Sequence, residues 1–249
     1  MSAPAYIDAP SPNFDSRTAP PDMIVLHYTG MPTGEGALER LCDPDARVSA
    51  HYLVEEDGRV FHLVAEERRA WHAGVSFWKG DQDINARSIG IEIVNPGHEH
   101  GYRAFPGTQV AAVIALLTDV RSRWTVPDGF ILGHSDVAPE RKEDPGELFP
   151  WRALHDAGHG LWAEPIAAPG EPLGEGDEGV GVFALQAALH RLGYDSPPTG
   201  RYDARTRTLI TAFQRHWAPH RIDGVADGET RARLMGVLRA SAGYDLGLA

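Results

Sequence analysis

The apolar residues of this chain change rhythm along its length. Met23-Ile24-Val25-Leu26 is a continuous apolar run with β-branched members, followed by His27-Tyr28-Thr29-Gly30, which predicts a buried strand opening into a loop. His51 to Val64 holds two strand-like runs around Asp57-Gly58, a hairpin signal because a tight turn needs positive φ. Ser88 to Asn95 alternates, with Ile89, Ile91 and Ile93 on one face of a strand and Glu92 on the other. Phe130-Ile131-Leu132 reads as the end of a further buried strand. Between these runs, Ala37–Cys42 forms a short helix. Val110, Val113, Ile114, Leu117 and Val120 stand at helical spacing over Thr108–Trp124, with Thr108 as the N-cap, so this helix packs on the sheet.

Further on the pattern is helical throughout. Val182, Leu185, Leu189 and Leu192 share one helix face, Leu209, Ile210, Phe213 and Trp217 another, and Asp227 caps a short third helix that includes Leu234 and Leu238. The chain therefore divides into a Pro-rich N-terminal arm (1–20) lying over the surface without forming an element, an α/β domain (21–164), a linker rich in Pro, Gly and acidic residues (165–178), and a small three-helix domain (179–240). Phe213 and Trp217 fill the core of that last domain.

The chemistry gathers in the stretch from Gly133 to Trp151. Its Pro and Gly argue against regular structure, so His134, Lys142 and Asp144 stand on a loop at a strand's end, where sites are often carried. A catalytic zinc takes three nitrogen or oxygen donors and keeps one position for water. His134 and Asp144 supply two donors. His27, placed at the end of its strand as His134 is at the end of another, supplies the third. Glu92 is expensive to bury in so apolar a strand unless it is paired or working, and Gly90 before it lets a ligand or backbone come close. Trp71-His72, flanked by small residues, fits core packing and a ligand-facing wall equally well.

Composition narrows the partners. With 249 residues, 42% hydrophobic and 23% charged, the chain has the make-up of an ordinary globular protein and no apolar run long enough to span a bilayer. A formal charge of −12 argues against nucleic acid. The single cysteine, Cys42, excludes an internal disulfide and a cysteine-based zinc cluster, and reads as a half-buried helix residue. Met1 to Pro10 has neither a basic start nor an apolar core, so the sequence as it stands is expected in the cytoplasm, or in the periplasm if a leader was removed. Oligomeric state is left open.

With these residues in hand, Met23 to Trp151 resembles the zinc-dependent N-acetylmuramoyl-L-alanine amidases, and among them the branch that handles anhydro-muropeptides and cell-wall fragments. The motifs are Val25-Leu26-His27-Tyr28-Thr29, Ser49 to Val54, Ala70-Trp71-His72-Ala73-Gly74, Ser88 to Ile93 and the stretch from Gly133. The resemblance implies a mixed central β-sheet flanked by helices, one Zn2+ per chain on His27, His134 and Asp144, Glu92 as general base and Lys142 assisting, with Tyr52, Trp71, His72 and Asn95 as candidate substrate contacts. It implies hydrolysis of the amide between the lactyl group of muramic acid and L-alanine, on peptidoglycan or on soluble muropeptides. The helical domain resembles a peptidoglycan-binding domain through Leu185-Gln186, Leu192-Gly193-Tyr194, Thr199-Gly200, Ala212-Phe213-Gln214 and Asp223-Gly224. One departure stands out: related phage amidases and catalytic peptidoglycan-recognition proteins carry a tyrosine before the motif histidine and often a cysteine ligand, where this chain has Ala50 and Asp144. Glu92 then works without that tyrosine. The rival readings are a non-catalytic peptidoglycan-recognition protein, disfavoured by the third ligand Asp144, and a zinc peptidase, for which the His-Glu-x-x-His pattern is missing.

Overall fold

The computed structural model describes residues 4–167 and 170–245. In chain order the elements are β1 (Tyr6–Asp8), β2 (Phe14–Ser16), β3 (Met23–Tyr28), α1 (Gly34–Cys42), β4 (Tyr52–Val54), β5 (Val60–His62), β6 (Arg68–Ala70), α2 (Ile84–Arg87), β7 (Ser88–Ile93) and α3 (Gly97–His100). After these come α4 (Gly107–Arg123), β8 (Ile131–Gly133), α5 (His134–Val137), α6 (Trp151–Asp156), α7 (Val180–Leu192), α8 (Ala204–Trp217) and α9 (Gly228–Asp245). Six strands make one sheet in the order β1-β5-β4-β7-β3-β8, and β2 pairs with β6 apart from it. Only β4 and β5, the hairpin around Asp57-Gly58, run antiparallel within the large sheet; its other pairs are parallel.

β3 is apolar at every position from Met23 to Leu26 because both faces of the sheet are covered. On one face Ile24, Leu26, Ile89, Ile91 and Ile93 pack with Val113, Leu116, Leu117 and Val120 of α4. The opposite face is shared. Leu53 joins Ala37 and Leu41 of α1, while Met23, Val25, Leu132 and Val137 join the core of α7, α8 and α9. His27 and Glu92 face each other in register on this second face, at the carboxyl ends of parallel strands. Ligands bind at such strand ends in open α/β sheets.

The structure corrects several expectations. The N-terminal arm contains two strands, since Pro is tolerated at a sheet edge and the arm adds only edge strands. Arg17 pins it, its guanidinium donating to the carbonyls of Arg68, Ala86 and Ser88, each at 2.8 Å. Thr108 is not an N-cap: α4 starts behind Pro106, and the Thr108 hydroxyl instead donates to the Glu56 carbonyl at 2.9 Å. The segment after β8 is not all loop, for His134 opens a single helical turn. The third helix of the C-terminal domain is long, 18 residues, with Asp227 accepting from Thr230 N as a cap.

The linker is no free tether either. Its described backbone is stitched to α9 and to the loops between the helices: Ile166 N donates to Ala232 O at 2.8 Å, Leu173 and Ala226 exchange bonds at 2.8 and 3.1 Å, and Gly176 N donates to Tyr202 O at 2.9 Å. Such partners are main-chain groups, which leave no trace in a side-chain pattern. Two buried amides close the loops of the helical domain in the same way. Gln186 accepts from Gly200 N and donates to Arg201 O, and Gln214 accepts from Gly224 N and donates to Val225 O. The Thr199-Gly200 and Asp223-Gly224 pairs thus mark two copies of one helix-to-loop lock.

The helical domain also shares its core with the sheet. Trp217 Nε1 donates to Leu161 O at 3.1 Å, and Lys79 N donates to Gly193 O at 2.9 Å. Gly193 lies so close to Trp78 that a Cβ there would meet the indole at 2.4 Å. No helix among the described residues is long and apolar enough to cross a membrane.

Candidate active site

The site is assembled by strand register. Leu26 lies beside Gly133, so His134 at the next position comes up beside His27, with Glu92 on the other side of His27. The return of the chain brings the carboxylate. Ser135 N donates to the Asp144 carbonyl at 2.9 Å, closing the segment into a loop that turns Asp144 back onto the histidines. Gly133 makes room for that closure, because a Cβ would stand 2.8 Å from Pro145 Cδ. The result is a near-equilateral triangle: His27 Nδ1, His134 Nδ1 and Asp144 Oδ2 are each 3.0 Å from the other two. All three residues are buried.

Hydrogen bonding alone does not explain this triangle. His134 Nε2 lies 3.1 Å from the Ala73 carbonyl and 3.2 Å from Arg141 Nη2; with its hydrogen directed to the carbonyl, His134 Nδ1 holds a lone pair and no proton. That lone pair faces another ring nitrogen and a carboxylate, the arrangement a cation relieves. Three ligands tetrahedrally placed on zinc stand about 3.4 Å apart, close to the spacing here. His27, His134 and Asp144 could therefore bind a metal ion, and they are the one such group among the described residues.

Burial holds the His27 imidazole down at about 4, with His134 pushing the same way against the pull of Asp144. Burial would raise the Asp144 carboxyl, yet the two imidazoles, His134 foremost, keep it well below the usual carboxylate range. Glu92 goes the other way: burial first, then the Asp144 charge, push it well above that range, against Lys142. Its Oε2 is buried without a hydrogen-bond partner. An orphaned buried carboxylate oxygen is costly and calls for a working role. These groups line a cleft of about 440 Å³ whose walls include Trp71, His98, Arg141 and Lys142.

The remaining sequence candidates separate. Trp71 and His72 line the cleft, but His72 also bonds to His27, Nδ1 to Nε2 at 3.0 Å. Gly90 admits no ligand or backbone; it admits the His72 ring, whose Cγ would stand 2.4 Å from a Cβ at that position. Tyr52 lies away from the cleft. It pairs with Ile91, on the α4 face of the sheet, and its hydroxyl donates to Glu66 at 2.7 Å. Asn95 is fully buried and shapes the loop after β7, donating to Arg103 O at 2.7 Å and accepting from Gly97 N at 3.1 Å. Sequence reasoning missed Arg141, whose guanidinium borders His134 and donates to Val75 O at 2.8 Å. Nothing in its local sequence sets it apart from a solvated arginine.

The comparisons agree with this geometry. Residues 17–147 match the family described as N-acetylmuramoyl-L-alanine amidase, and residues 178–234 match a peptidoglycan binding domain. N-acetylmuramoyl-L-alanine amidase AmiD of Escherichia coli is 35% identical over 230 residues, covering 84% of this chain and 79% of AmiD. The 1,6-anhydro-N-acetylmuramyl-L-alanine amidase AmpD of Enterobacter cloacae is 35% identical over 167 residues, 59% of this chain and 86% of AmpD. Among solved structures, the complex of E. coli AmiD with the substrate anhydro-N-acetylmuramic acid-L-Ala-D-gamma-Glu-L-Lys superposes with a TM-score of 0.77 at 34% identity, covering 91% of this chain and 92% of AmiD. With a family match over more than half of its length and a full-length relative of this kind, the chain belongs to the N-acetylmuramoyl-L-alanine amidase family and is an enzyme of that family.

Proposed function

We propose that this protein uses zinc to hydrolyse the amide between the lactyl group of N-acetylmuramic acid, or its 1,6-anhydro form, and L-alanine. The observation that carries the reading is the convergence of His27, His134 and Asp144, acceptors facing acceptors, beside the unpartnered Glu92. Zinc held by those three side chains supplies Lewis acidity, which brings the pKa of water to about 7 and polarises a carbonyl. Glu92 takes a proton from the attacking water and gives it to the departing L-alanine nitrogen; its raised pKa suits it to hold that proton in between. Lys142, on the cleft wall, contributes a fixed positive charge toward the oxygen that becomes negative. Trp71 and the cleft wall hold the sugar and stem peptide.

The relatives support the substrate class, since a muropeptide is bound in the AmiD complex. We assign residues 1–20 to an anchoring arm, 21–164 to the catalytic domain and 165–178 to the connector, while 179–240 holds cell-wall material next to the cleft. The test is incubation of the zinc-loaded protein with an anhydro-muramyl tripeptide and with intact sacculi, reading new termini by mass spectrometry. A free L-alanine amino terminus is expected. Cleavage elsewhere in the stem, or hydrolysis undiminished in metal-free protein, overturns the reading.

A further inference from the structure

This inference rests on the zinc reading and concerns the proton of His27. A carbonyl has no proton to give, so the 2.6 Å bond between Ser88 Oγ and the Ile84 carbonyl takes the Ser88 hydroxyl hydrogen. Ser88 Oγ then acts as acceptor toward His72 Nε2, 3.2 Å away, and that nitrogen must carry the hydrogen. A neutral imidazole has one N–H. His72 Nδ1 is therefore bare and accepts from His27 Nε2 at 3.0 Å. Each link has one donor and one acceptor, and the direction is set from its far end.

The consequence falls on the near end. With its hydrogen on Nε2, His27 turns a bare Nδ1 toward His134 Nδ1 and Asp144 Oδ2. The opposite arrangement, His27 Nδ1–H donating to Asp144, would reverse both histidine links and leave Ser88 with two acceptors and one hydrogen. The His72 ring is held in place on two sides. Asn85 Oδ1 accepts from the main-chain N–H of His72 and Ala73 at 3.1 and 2.7 Å, and the ring lies in the hollow of Gly90.

We propose that Ser88 and His72 fix the tautomer of His27, so that His72 is a positioning residue of the metal site instead of part of the substrate wall. Metal-bound histidines commonly donate their second N–H to a carboxylate or carbonyl, and loss of such a partner costs roughly 10–100-fold in metal affinity. Here the partner is a neutral ring, which sets direction without adding negative charge.

The test has two readouts. Long-range 1H–15N correlation of the histidine rings in metal-free protein should show His27 as the Nε2–H tautomer; an Nδ1–H signal for His27 overturns the proposal whether or not zinc binds. Zinc affinity, measured by chelator competition, should fall roughly 10–100-fold in His72→Phe, fall less in Ser88→Ala, and recover in part in His72→Asn, whose Oδ1 can replace the Nδ1 acceptor. If the wild type binds zinc tightly and a folded Ser88→Ala or His72→Phe binds it equally with the His27 tautomer unchanged, the zinc reading stands and this inference fails. If the wild type binds no zinc while the tautomer is as stated, the zinc reading fails and takes the metal-site role of His72 with it, while the control of the His27 tautomer by Ser88 and His72 stands. Should His72→Phe not fold, Ser88→Ala and the wild-type spectrum decide.

Discussion

Asp144 and Asp136 lie on the same segment, each buried and each beside histidine nitrogen, but their surroundings are built on opposite plans. At Asp136 both carboxylate oxygens meet donors, although His216 Nε2 is itself buried without a partner. Oδ1 accepts from the Tyr194 hydroxyl at 3.0 Å, and Oδ2 accepts from His216 Nδ1 and Gly133 N, both at 2.7 Å. The His216 ring is stacked between Trp151 and Trp217, 3.7 Å from each. At Asp144 the neighbours are lone pairs facing lone pairs. The first group holds two domains together and the second waits for a cation. A buried His and Asp in contact is therefore not by itself a sign of a metal site; what distinguishes the two is whether the carboxylate oxygens face donors, as at Asp136, or other acceptors.

The largest expected effect tests that distinction directly. His134→Ala removes a corner of the triangle, so zinc should be lost and turnover should fall by roughly 10³-fold or more, as for groups that act as a unit. Metal analysis alongside the kinetics checks both halves, and retention of stoichiometric zinc would break the comparison. Next is Glu92→Gln, which keeps shape and removes the acid-base group. Turnover should drop roughly 10²–10⁴-fold with zinc retained. Because burial raises the Glu92 carboxyl above its unfolded pKa in the metal-free fold, the glutamate costs stability there as pH rises above about 4.5. The metal-free glutamine variant should consequently melt higher than wild type at pH 7, and a lower melting temperature would count against the burial argument.

Asp136→Ala addresses the matched group. It strands the His216, Tyr194 and Gly133 donors, and breaking a buried pair of this kind costs roughly 3–5 kcal/mol. Denaturant melts should show that loss while the folded variant still takes up one zinc. An unaltered midpoint would mean that the stacked tryptophans alone hold the domains. The smallest effect is the response of metal-free protein to acid. His27 is held at about 4 against 6.5, so between those values only the unfolded chain binds the proton and stability falls as pH is lowered. The His27 shift alone is on the order of 3 kcal/mol if fully expressed. Melts of wild type and His27→Gln across pH 4 to 7 should diverge in slope, and parallel curves would contradict the assignment.

How much of this was legible in the sequence depended on the range of the interaction. β3 and β7 could be read because two covered faces leave an unbroken or alternating apolar run, and with them the placing of His27, Glu92 and His134 at or near strand ends. Asp144 followed from its closeness in sequence to His134. Where Tyr52 and Asn95 lie relative to the cleft was not legible, because facing depends on which strand pairs with which, and Tyr52 is turned to the α4 side by its pairing with Ile91. The N-terminal strands, the stitched connector and the Asp136 group escaped for a common reason. Each is made with partners far along the chain, many of them main-chain atoms, which no local pattern records.

The shared core has a further consequence. In this protein the C-terminal helices are not a detachable cassette, because Met23, Val25 and Leu132 of the large sheet and Val137 of α5 share one core with them and Asp136 takes donors from Tyr194 and His216. A chimera carrying another binding module would have to bring its own equivalents of Tyr194, His216 and Trp217 at matching positions. Without them the exchange should be felt as a folding defect before any change of specificity is seen.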